Sequence, residues 1–276
     1  MSQGPDPENG RRPLADVGPL LAADARWAGW PTPIHVDSTP STMAEVEARA
    51  AQGGLEGTCI VAEEQTQGRG RSGRSWESAA QAGLWLSVLL RPTCAPSQLG
   101  WLPLVIGTAV ARALRDVAGV DAVLKWPNDV VAVRPGGIVK LGGILAERLS
   151  DGSVVVGVGI NVDHGEAELP DGGASLRTLG SSIPREDVLV AVLGGIAEAY
   201  RRWCTGGDPA PAYRDLCITL GRRIRAQRPT GTLVGQATGL GPGGELIVVD
   251  DDGAEHVISA GDISLVRPEP DADMAG

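Results

Sequence analysis

Short apolar segments and amphipathic helices follow one another in this chain without the strict alternation of a doubly wound fold. Apolar runs bounded by glycine or proline, such as residues 83–92 and 153–162, indicate buried strands. A long apolar helix is predicted over 97–119, with Ser97 as its cap. We therefore predict an α+β fold with helices packed on a mixed β-sheet. Further strands are predicted at 57–65, 122–126, 129–133 and 140–149, and further helices at 38–54, 185–203 and 208–218.

The sequence pattern changes near residue 219, where helical segments give way to short strands. From 219 to 268, four or five short strands are separated by Gly, Pro and Asp turns, which favours a small β-barrel. Residues 1–18 and 269–276 are polar and are expected to be disordered tails. The main domain is therefore predicted to span 19–218.

The charge of the chain restricts its partners. A net charge of −10 over 276 residues disfavours broad binding to the nucleic-acid backbone, so any anion site must be a local basic pocket. Among 24 lysines and arginines, Lys125 and Lys140 are the only lysines. Both lie in motifs described below.

Cysteine usage and hydropathy indicate a cytoplasmic protein. The four cysteines form no C-x-x-C pair and have no accompanying histidine cluster, which favours reduced thiols over structural zinc. The N-terminal residues lack the apolar core of a signal peptide. No run approaches the roughly 20 apolar residues of a membrane span.

Residues 67–76, QGRGRSGRSW, combine a G-x-G-x-x-G pattern with interleaved arginines. A dinucleotide-binding turn needs a helix at the third glycine and an acidic residue about twenty positions later, and both are missing. The motifs of protein kinases and P-loops are also missing. Alternating Gly and Arg instead favours a mobile loop that closes over a phosphate or carboxylate. An exposed basic hairpin is the alternative.

Residues 125–130, KWPNDV, place a cation, an indole, an amide and a carboxylate in one turn. Lys125 could neutralise a phosphate, and Asp129 could hold Mg²⁺ with help from Asn128. A plain strand-ending turn is the alternative, since Pro-Asn-Asp is good turn chemistry.

Lys140 begins the segment KLGGILAE, in which Gly142 and Gly143 allow close approach of backbone or ligand. A lysine entering a buried strand is costly unless it meets an anion. The alternative is an edge lysine whose ammonium reaches solvent.

The strand at 154–162 has glycine at alternate positions, Gly157 and Gly159, and ends near Asn161. Missing side chains on one face leave a slot for a flat ligand or a facing backbone. A β-bulge or tight packing is the alternative.

Ser38 and Thr39 are expected at the start of the helix over 38–54, where a capping role and a ligand role are both possible. Thr42 and Glu45 have the spacing of a capping box.

Together and in this order, EEQTQGRGRSGRSW, KWPNDV, KLGGILAE and VVGVGINV resemble the biotin–protein ligase family over about residues 34–268. The resemblance implies an α+β catalytic domain related to lipoate ligases and a C-terminal SH3-like β-barrel. It implies that biotin is activated by MgATP as biotinyl-5′-AMP. The biotinyl group is then transferred to a lysine of the biotin carboxyl carrier protein domain of an acyl-CoA carboxylase.

The resemblance also assigns roles to individual residues. The catalytic residues are Lys140, Arg69, Arg71 and Lys125. The biotin site is lined by Ser38, Thr39, Gln65, Gly68, Arg69, Arg71, Lys140, Gly142, Gly143 and Gly157. The ATP site takes Arg71, Arg74, Trp76, Lys125, Asn128, Asp129, Lys140 and Asn161, with Asp129 as the Mg²⁺ ligand.

The sequence departs from the family pattern at two places. Pro40 follows the Ser-Thr pair where Asn is common, and Ser72 stands where Arg is common. The segment before residue 34 is too short for the DNA-binding domain of some relatives, so we expect a ligase without repressor function. We expect no tightly bound prosthetic group and no DNA or membrane partner. Monomer and homodimer remain open, and a lipoate or octanoate ligase or transferase is the alternative activity.

Overall fold

The computed structural model describes residues 11–228, 231–259 and 262–265. Its main domain is built on a seven-stranded mixed sheet in the order β1-β2-β3-β7-β6-β5-β4. The strands are β1 Ile34–Thr39, β2 Cys59–Gln65, β3 Gly83–Leu90, β4 Ala122–Lys125, β5 Asp129–Arg134, β6 Gly137–Arg148 and β7 Val154–Asn161. Strands β1 and β2 are parallel, and the other neighbours are antiparallel. The predicted α+β class is confirmed.

Helices cover both faces of this sheet. The helices are α1 Gly18–Ala23, α2 Thr42–Ala51, α3 Trp101–Ala118, α4 Arg185–Cys204 and α5 Ala210–Arg214. Helix α2 packs on one face through Met43 and Val46, whereas α3 and α4 pack together on the other. Every residue of β3 is buried, because this central strand is covered on both sides. Burial on both faces explains why its sequence is apolar apart from Ser87.

A second, antiparallel sheet follows, in the order β11-β10-β9-β8-β12. Its strands are β8 Arg223–Arg228, β9 Gly231–Leu240, β10 Leu246–Asp250, β11 Glu255–Ile258 and β12 Asp262–Leu265. The sequence predicts four or five strands here, and the structure has five in the part of the chain that it describes. Between β11 and β12, which a closed barrel would join, the residues that the structure describes show no pairing. The domain division at 219 stays a prediction.

Two buried indoles attach the second sheet to the main domain. Trp126 Nε1 donates to the Gly244 carbonyl at 3.0 Å, and Trp101 Nε1 donates to the Pro242 carbonyl at 2.9 Å. A Cβ on Gly100 would lie 2.3 Å from the Gly243 oxygen, so the two backbones are in close contact there. The two sheets therefore share one continuous apolar core.

Several local predictions are wrong. Helix α2 begins at Thr42 with Ser41 as its N-cap, so Thr42 cannot act as the cap of a capping box. Ser38 and Thr39 belong to β1. The cap of α3 is Gly100, while Ser97 lies in the preceding 3₁₀ turn.

The helix predicted over 208–218 is confined to α5, because residues 216–218 bond to β4 instead. Leu124 N donates to the Leu216 carbonyl, and Ile218 N donates to the Leu124 carbonyl, both at 2.8 Å. These bonds extend the edge of the first sheet and stop the helix.

The tail predicted over 1–18 is wrong for its second part. Leu14 and Val17 are buried, and Arg11 is 9% exposed, since this segment packs against the main domain. Residues 1–10 and the tail at 269–276 lie outside the described residues. Within the described ranges, no helix has both the length and the hydropathy to cross a membrane.

Trp126→Phe is expected to lower the free energy of unfolding by about 2 kcal/mol, because it removes a buried donor and part of the indole volume. Urea denaturation measures this. Leu55→Ala is the control, since Leu55 is 70% exposed and its loss should change stability by less than about 0.5 kcal/mol. Equal midpoints for Trp126→Phe and the unsubstituted protein would contradict the prediction.

Candidate active site

A cavity of about 530 Å³ opens where β5, β6 and β7 meet the start of α2. Further walls are formed by the glycine–arginine loop at 67–76, the segment at 163–173, the turn at 125–128, Leu86 of β3 and Ile263 of β12. The predicted site residues that line it are Gln65, Arg69, Arg71, Arg74, Trp76, Lys125, Asn128, Asp129, Lys140, Gly143, Gly157 and Asn161. Residues far apart in the sequence thus form one site.

Two lysines flank one carboxylate in this cavity. Lys140 Nζ lies 2.6 Å from Asp129 Oδ1, and Lys125 Nζ lies 3.5 Å from Asp129 Oδ2. The β4–β5 hairpin sets this arrangement by pairing Lys125 with Asp129, while β6 brings Lys140 alongside. The carboxylate reduces the repulsion between the two ammonium groups.

Asn128 connects the hairpin to the floor of the cavity and to the loop. Its Nδ2 donates to the Ile144 carbonyl at 3.0 Å, and its Oδ1 accepts from Arg71 Nη1 at 3.2 Å. The turn before it contains a cis peptide between Trp126 and Pro127. The amide therefore helps to define the position of Arg71 over the cavity.

The glycine–arginine loop folds as a narrow hairpin. Trp76 N donates to the Gly68 carbonyl at 2.9 Å, and Gly70 N donates to the Arg74 carbonyl at 2.7 Å. At its tip, Ser72 and Gly73 have φ of 57° and 72°, which is a conformation that favours glycine. The hairpin is closed by backbone bonds, and its predicted movement stays a prediction.

Arg69 leaves the hairpin toward two carboxylates. Its Nη1 lies 3.0 Å from Glu47 Oε1 and 3.0 Å from Glu147 Oε2. Glu47, and less strongly Glu147, raise the pKa of the Arg69 guanidinium, although partial burial opposes them. Arg69 therefore links α2 and β6 at the mouth of the cavity.

The glycine slot predicted on β7 is occupied by the side chain of Trp76. A Cβ on Gly159 would lie 2.8 Å from the indole, and one on Gly143 would lie 3.3 Å from it. Lys140 Nζ lies 5.2 Å from the indole centroid. The buried Nε1 has no hydrogen-bond partner in the described part of the chain. The indole is therefore held by packing and by the nearby ammonium. Because Nε1 has no partner among the described residues, the indole could leave the slot without losing a hydrogen bond.

Gln65 fixes the other end of the cavity. Its Oε1 accepts from Thr42 N and Thr42 Oγ1 at 2.9 and 3.0 Å, and its Nε2 donates to Ser78 Oγ at 2.8 Å. A Cβ on Gly157 would lie 2.9 Å from Met43 Sδ. This end therefore combines an ordered amide with a thioether that fills the space over a glycine.

The comparisons with known proteins agree with this geometry. A model of the Biotin/lipoate A/B protein ligase family matches residues 36–164, and one of the Biotin protein ligase C terminal domain matches 219–266. The biotin–[acetyl-CoA-carboxylase] ligase of Mycobacterium tuberculosis is 38% identical over 248 residues, covering 87% of this chain and 91% of that protein. The chain belongs to the biotin protein ligase family.

Two further relatives extend the likeness. The bifunctional ligase/repressor BirA of Bacillus subtilis is 31% identical, covering 84% of this chain and 73% of that protein. The biotin protein ligase from Aquifex aeolicus, solved in complex with biotin and ATP, has a TM-score of 0.73. It is 32% identical, and the match covers 86% of this chain and 99% of that one. The predicted ligase fold with an SH3-like C-terminal domain is confirmed.

Four residues predicted for the biotin site of this family lie away from the cavity. Ser38 Oγ donates to Glu64 Oε2 at 3.0 Å, and Thr39 Oγ1 donates to Glu45 Oε1 at 3.2 Å. Gly68 and Gly142 allow backbone contacts, since a Cβ would lie 2.3 Å from the Trp76 oxygen and 2.5 Å from the Gly159 oxygen. Their predicted biotin contacts stay predictions.

Asn161 lines the cavity, but its side-chain amide is hydrogen-bonded to the backbone. Its Nδ2 donates to the Ala174 carbonyl at 3.0 Å, and the residue is 8% exposed. Asn161 thus attaches the end of β7 to the residue that directly follows the 163–173 segment. Its nucleotide contact stays a prediction.

The predicted Mg²⁺ ligand, Asp129, has lysine ammonium groups beside both carboxylate oxygens. In the described ranges, no group of three His, Cys, Asp or Glu side chains could hold a metal ion. Mg²⁺ bound to ATP would have to displace a lysine to reach Asp129, so this role stays a prediction.

Sequence reasoning missed part of the cavity wall. The sequence assigns Thr42 only a capping role and Met43 no role beyond the helix, and no motif marks the 163–173 segment. Among the missed lining residues are Ser41, Thr42, Met43, His164, Glu168 and Gly172.

His164 is 4% exposed, and its ring lies edge-on to Trp85 at 5.8 Å. Burial, followed by the nearby Arg11 guanidinium, lowers the pKa of His164 to about 4. The imidazole at this wall is therefore neutral at physiological pH.

His164→Gln is expected to reduce the acid sensitivity of folding. A lowered pKa gives stability that is complete above the unfolded value of 6.5 and is lost as pH falls toward about 4. Urea unfolding at pH 7 and pH 4.5 should show a smaller loss for His164→Gln than for the unsubstituted protein. Equal losses would contradict this assignment.

His35→Gln supplies a control of opposite sign. The hydrogen bond to Glu63 raises the pKa of His35, so its stabilisation is complete below 6.5 and is lost as pH rises. Its removal should increase the net loss of stability between pH 7 and pH 4.5.

Proposed function

We propose that the protein is an ATP-dependent biotin ligase. It activates biotin as biotinyl-5′-AMP and transfers the biotinyl group to a lysine of the biotin carboxyl carrier protein domain of an acyl-CoA carboxylase. Membership of the biotin protein ligase family supports this activity. We also propose a cytoplasmic location, since the reaction consumes ATP.

One observation supports the proposal most. Cations from three separate segments converge on one cavity in a chain of net charge −10. They are Lys125, Lys140, Arg69, Arg71 and Arg74. The first step must bring a carboxylate against a triphosphate, and fixed cations reduce that repulsion and stabilise the charge of the transition state.

In the first step, a biotin carboxylate oxygen bonds to the α-phosphorus of ATP. The bond from that phosphorus to the oxygen bridging the α- and β-phosphates breaks, and pyrophosphate leaves. Lys140 would lie beside the new acyl phosphate, with Lys125 and Arg71 on the phosphates. Mg²⁺ enters as part of the MgATP substrate.

In the second step, the neutral amine of the carrier lysine attacks the carbonyl carbon of the mixed anhydride. The carbon–oxygen bond to the phosphate breaks, AMP leaves with the electron pair, and the nitrogen loses a proton to solvent. The hairpin at 67–76 covers the cavity mouth and would limit hydrolysis before the carrier arrives.

The two ends of the cavity suit different substrates. The end with Gln65, Met43 and Gly157 offers ordered polar atoms and an apolar surface, which suits the biotin ring system. The end with Trp76, Asn128 and the 163–173 segment is assigned to the nucleotide. Trp76 would pack beside the adenine after it leaves the glycine slot.

Recognition of the carrier would depend on local contacts. A protein of net charge −10 gains little long-range attraction toward an acidic partner. The arginines at the cavity mouth lie where a carrier lysine must enter.

Pyrophosphate release on mixing the protein, MgATP and biotin tests the activity. We expect a burst near one equivalent and slow turnover until the carrier domain is added. Lipoate and octanoate are the parallel substrates, and octanoyl transfer without nucleotide is measured separately. Release with lipoate but not biotin, or transfer without ATP, would replace the proposed function with the lipoyl or octanoyl activity.

Lys140→Arg is expected to reduce the rate of adenylate formation by at least about 100-fold. A planar guanidinium cannot replace a compact ammonium in a crowded site, and here Nζ lies 2.6 Å from Asp129. Arg148→Lys, an exposed change on the same strand, is the control and should leave the rate unchanged. A near-normal rate for Lys140→Arg would contradict its role.

A further inference from the structure

The N-terminal segment at 11–17, here called the strap, lies before residue 36, where the family match begins. It runs along the main domain and reaches the wall of the cavity. Leu14 and Val17 are buried, and Leu14 N donates to Glu63 Oε1 at 2.5 Å. The strap is thus a fixed part of the fold.

Arg11 connects the strap to the segment that forms one cavity wall. Its Nη2 donates to the Asp163 carbonyl at 2.9 Å and to Glu168 Oε2 at 2.5 Å. The same Glu168 oxygen accepts from Gly165 N at 2.6 Å. One buried guanidinium therefore joins both ends of the turn at 163–168.

This turn is continuous with the backbone that supports Lys140. Lys140 N donates to the Gly172 carbonyl at 2.7 Å, and Ala174 N donates to the Lys140 carbonyl at 2.8 Å. His164 and Glu168 of the turn both line the cavity. A displacement of the turn would therefore change the cavity wall next to the reacting groups.

Arg12, the next residue, has no such connection. Its guanidinium forms two bonds to Glu186, at 2.6 and 3.1 Å, at the start of α4. Its side chain is 56% exposed, whereas that of Arg11 is 8% exposed. The two arginines share the strap, but only Arg11 contacts the wall.

We propose that Arg11 is a positioning residue that holds the 163–173 segment in the shape that binds the nucleotide. The inference rests on the proposed function and extends it to residues outside the family match. The nucleotide is the affected substrate because this wall follows Asn161, while the end with Gln65 and Gly157 is formed by other elements. Glu168 is the acceptor through which Arg11 acts, together with the Asp163 carbonyl.

Steady-state adenylation kinetics of Arg11→Met and Arg12→Met test the proposal. Both variants keep an unbranched side chain and lose one guanidinium from the strap. For Arg11→Met we expect the KM for ATP to rise about tenfold, as for a lost charge-assisted hydrogen bond. Its KM for biotin and its kcat should change by less than about twofold, and Arg12→Met should leave all three constants within that range.

Hydrogen exchange followed by mass spectrometry gives a readout independent of activity. Exchange in the 163–173 segment should be faster in Arg11→Met than in Arg12→Met, with unchanged exchange in β3. Arg11→Lys should restore part of the ATP affinity, because an ammonium can still donate to one of the two oxygens.

The outcomes separate the inference from the proposed function. If the unsubstituted protein releases no pyrophosphate with biotin, the proposed function fails. If it is active and Arg11→Met matches Arg12→Met in KM and exchange, the inference fails. Should Arg11→Met not fold, Glu168→Gln replaces it and must raise the KM for ATP selectively, since it weakens the same contact. No change in Glu168→Gln would overturn the inference.

Discussion

The repulsion between like charges is the constraint on which this site depends. Two lysines can share a half-buried cavity only if an anion lies between them, and Asp129 supplies it at 2.6 and 3.5 Å. The substrates bring the opposite problem, because a carboxylate must approach phosphates. A cation cluster balanced by one carboxylate meets both needs, since Asp129 prevents mutual repulsion of the lysines when no anionic substrate is present. Strands β4, β5 and β6 are neighbours in the sheet, and their pairing brings these three charges together.

Space for a ligand next to these charges comes from missing side chains. Gly143 and Gly159 lie opposite each other on β6 and β7, and both would collide with or press on the Trp76 indole if they carried a Cβ. The indole fills the gap without making a hydrogen bond at Nε1. Its displacement would therefore break packing contacts and the contact with the Lys140 ammonium, but no hydrogen bond to a residue that the structure describes. Under the proposed function, an aromatic base would take the place that the Trp76 indole fills in this structure.

Most strands and many residues of the cavity can be predicted from the sequence, for physical reasons. The buried strand at 83–90 is apolar apart from Ser87, and the motifs around Lys125 and Lys140 contain charged residues that are costly to bury unless they meet an opposite charge. The end of the helix predicted over 208–218 was not visible, because it is set by pairing with Leu124, a contact distant in sequence. The capping role predicted for Thr42 is wrong because its hydroxyl bonds to Gln65, which lies at the end of β2 and is distant in sequence. Local patterns cannot encode such partners.

The wall at 163–173 is a second case in which local sequence does not show the contacts that a segment makes. It contains no motif, and its contacts come from residues distant in sequence: Arg11 before the first strand, and Lys140 and Asn161 within the sheet. The second sheet attaches to the KWPND turn through Trp126. The cavity wall at 163–173 and the second sheet are thus held by contacts that are distant in sequence. The hairpin at 67–76 combines backbone bonds of its own with side-chain contacts, since Arg69 reaches Glu47 and Glu147 and Arg71 reaches Asn128. Its predicted movement would have to break those side-chain contacts while the lysines stay in place.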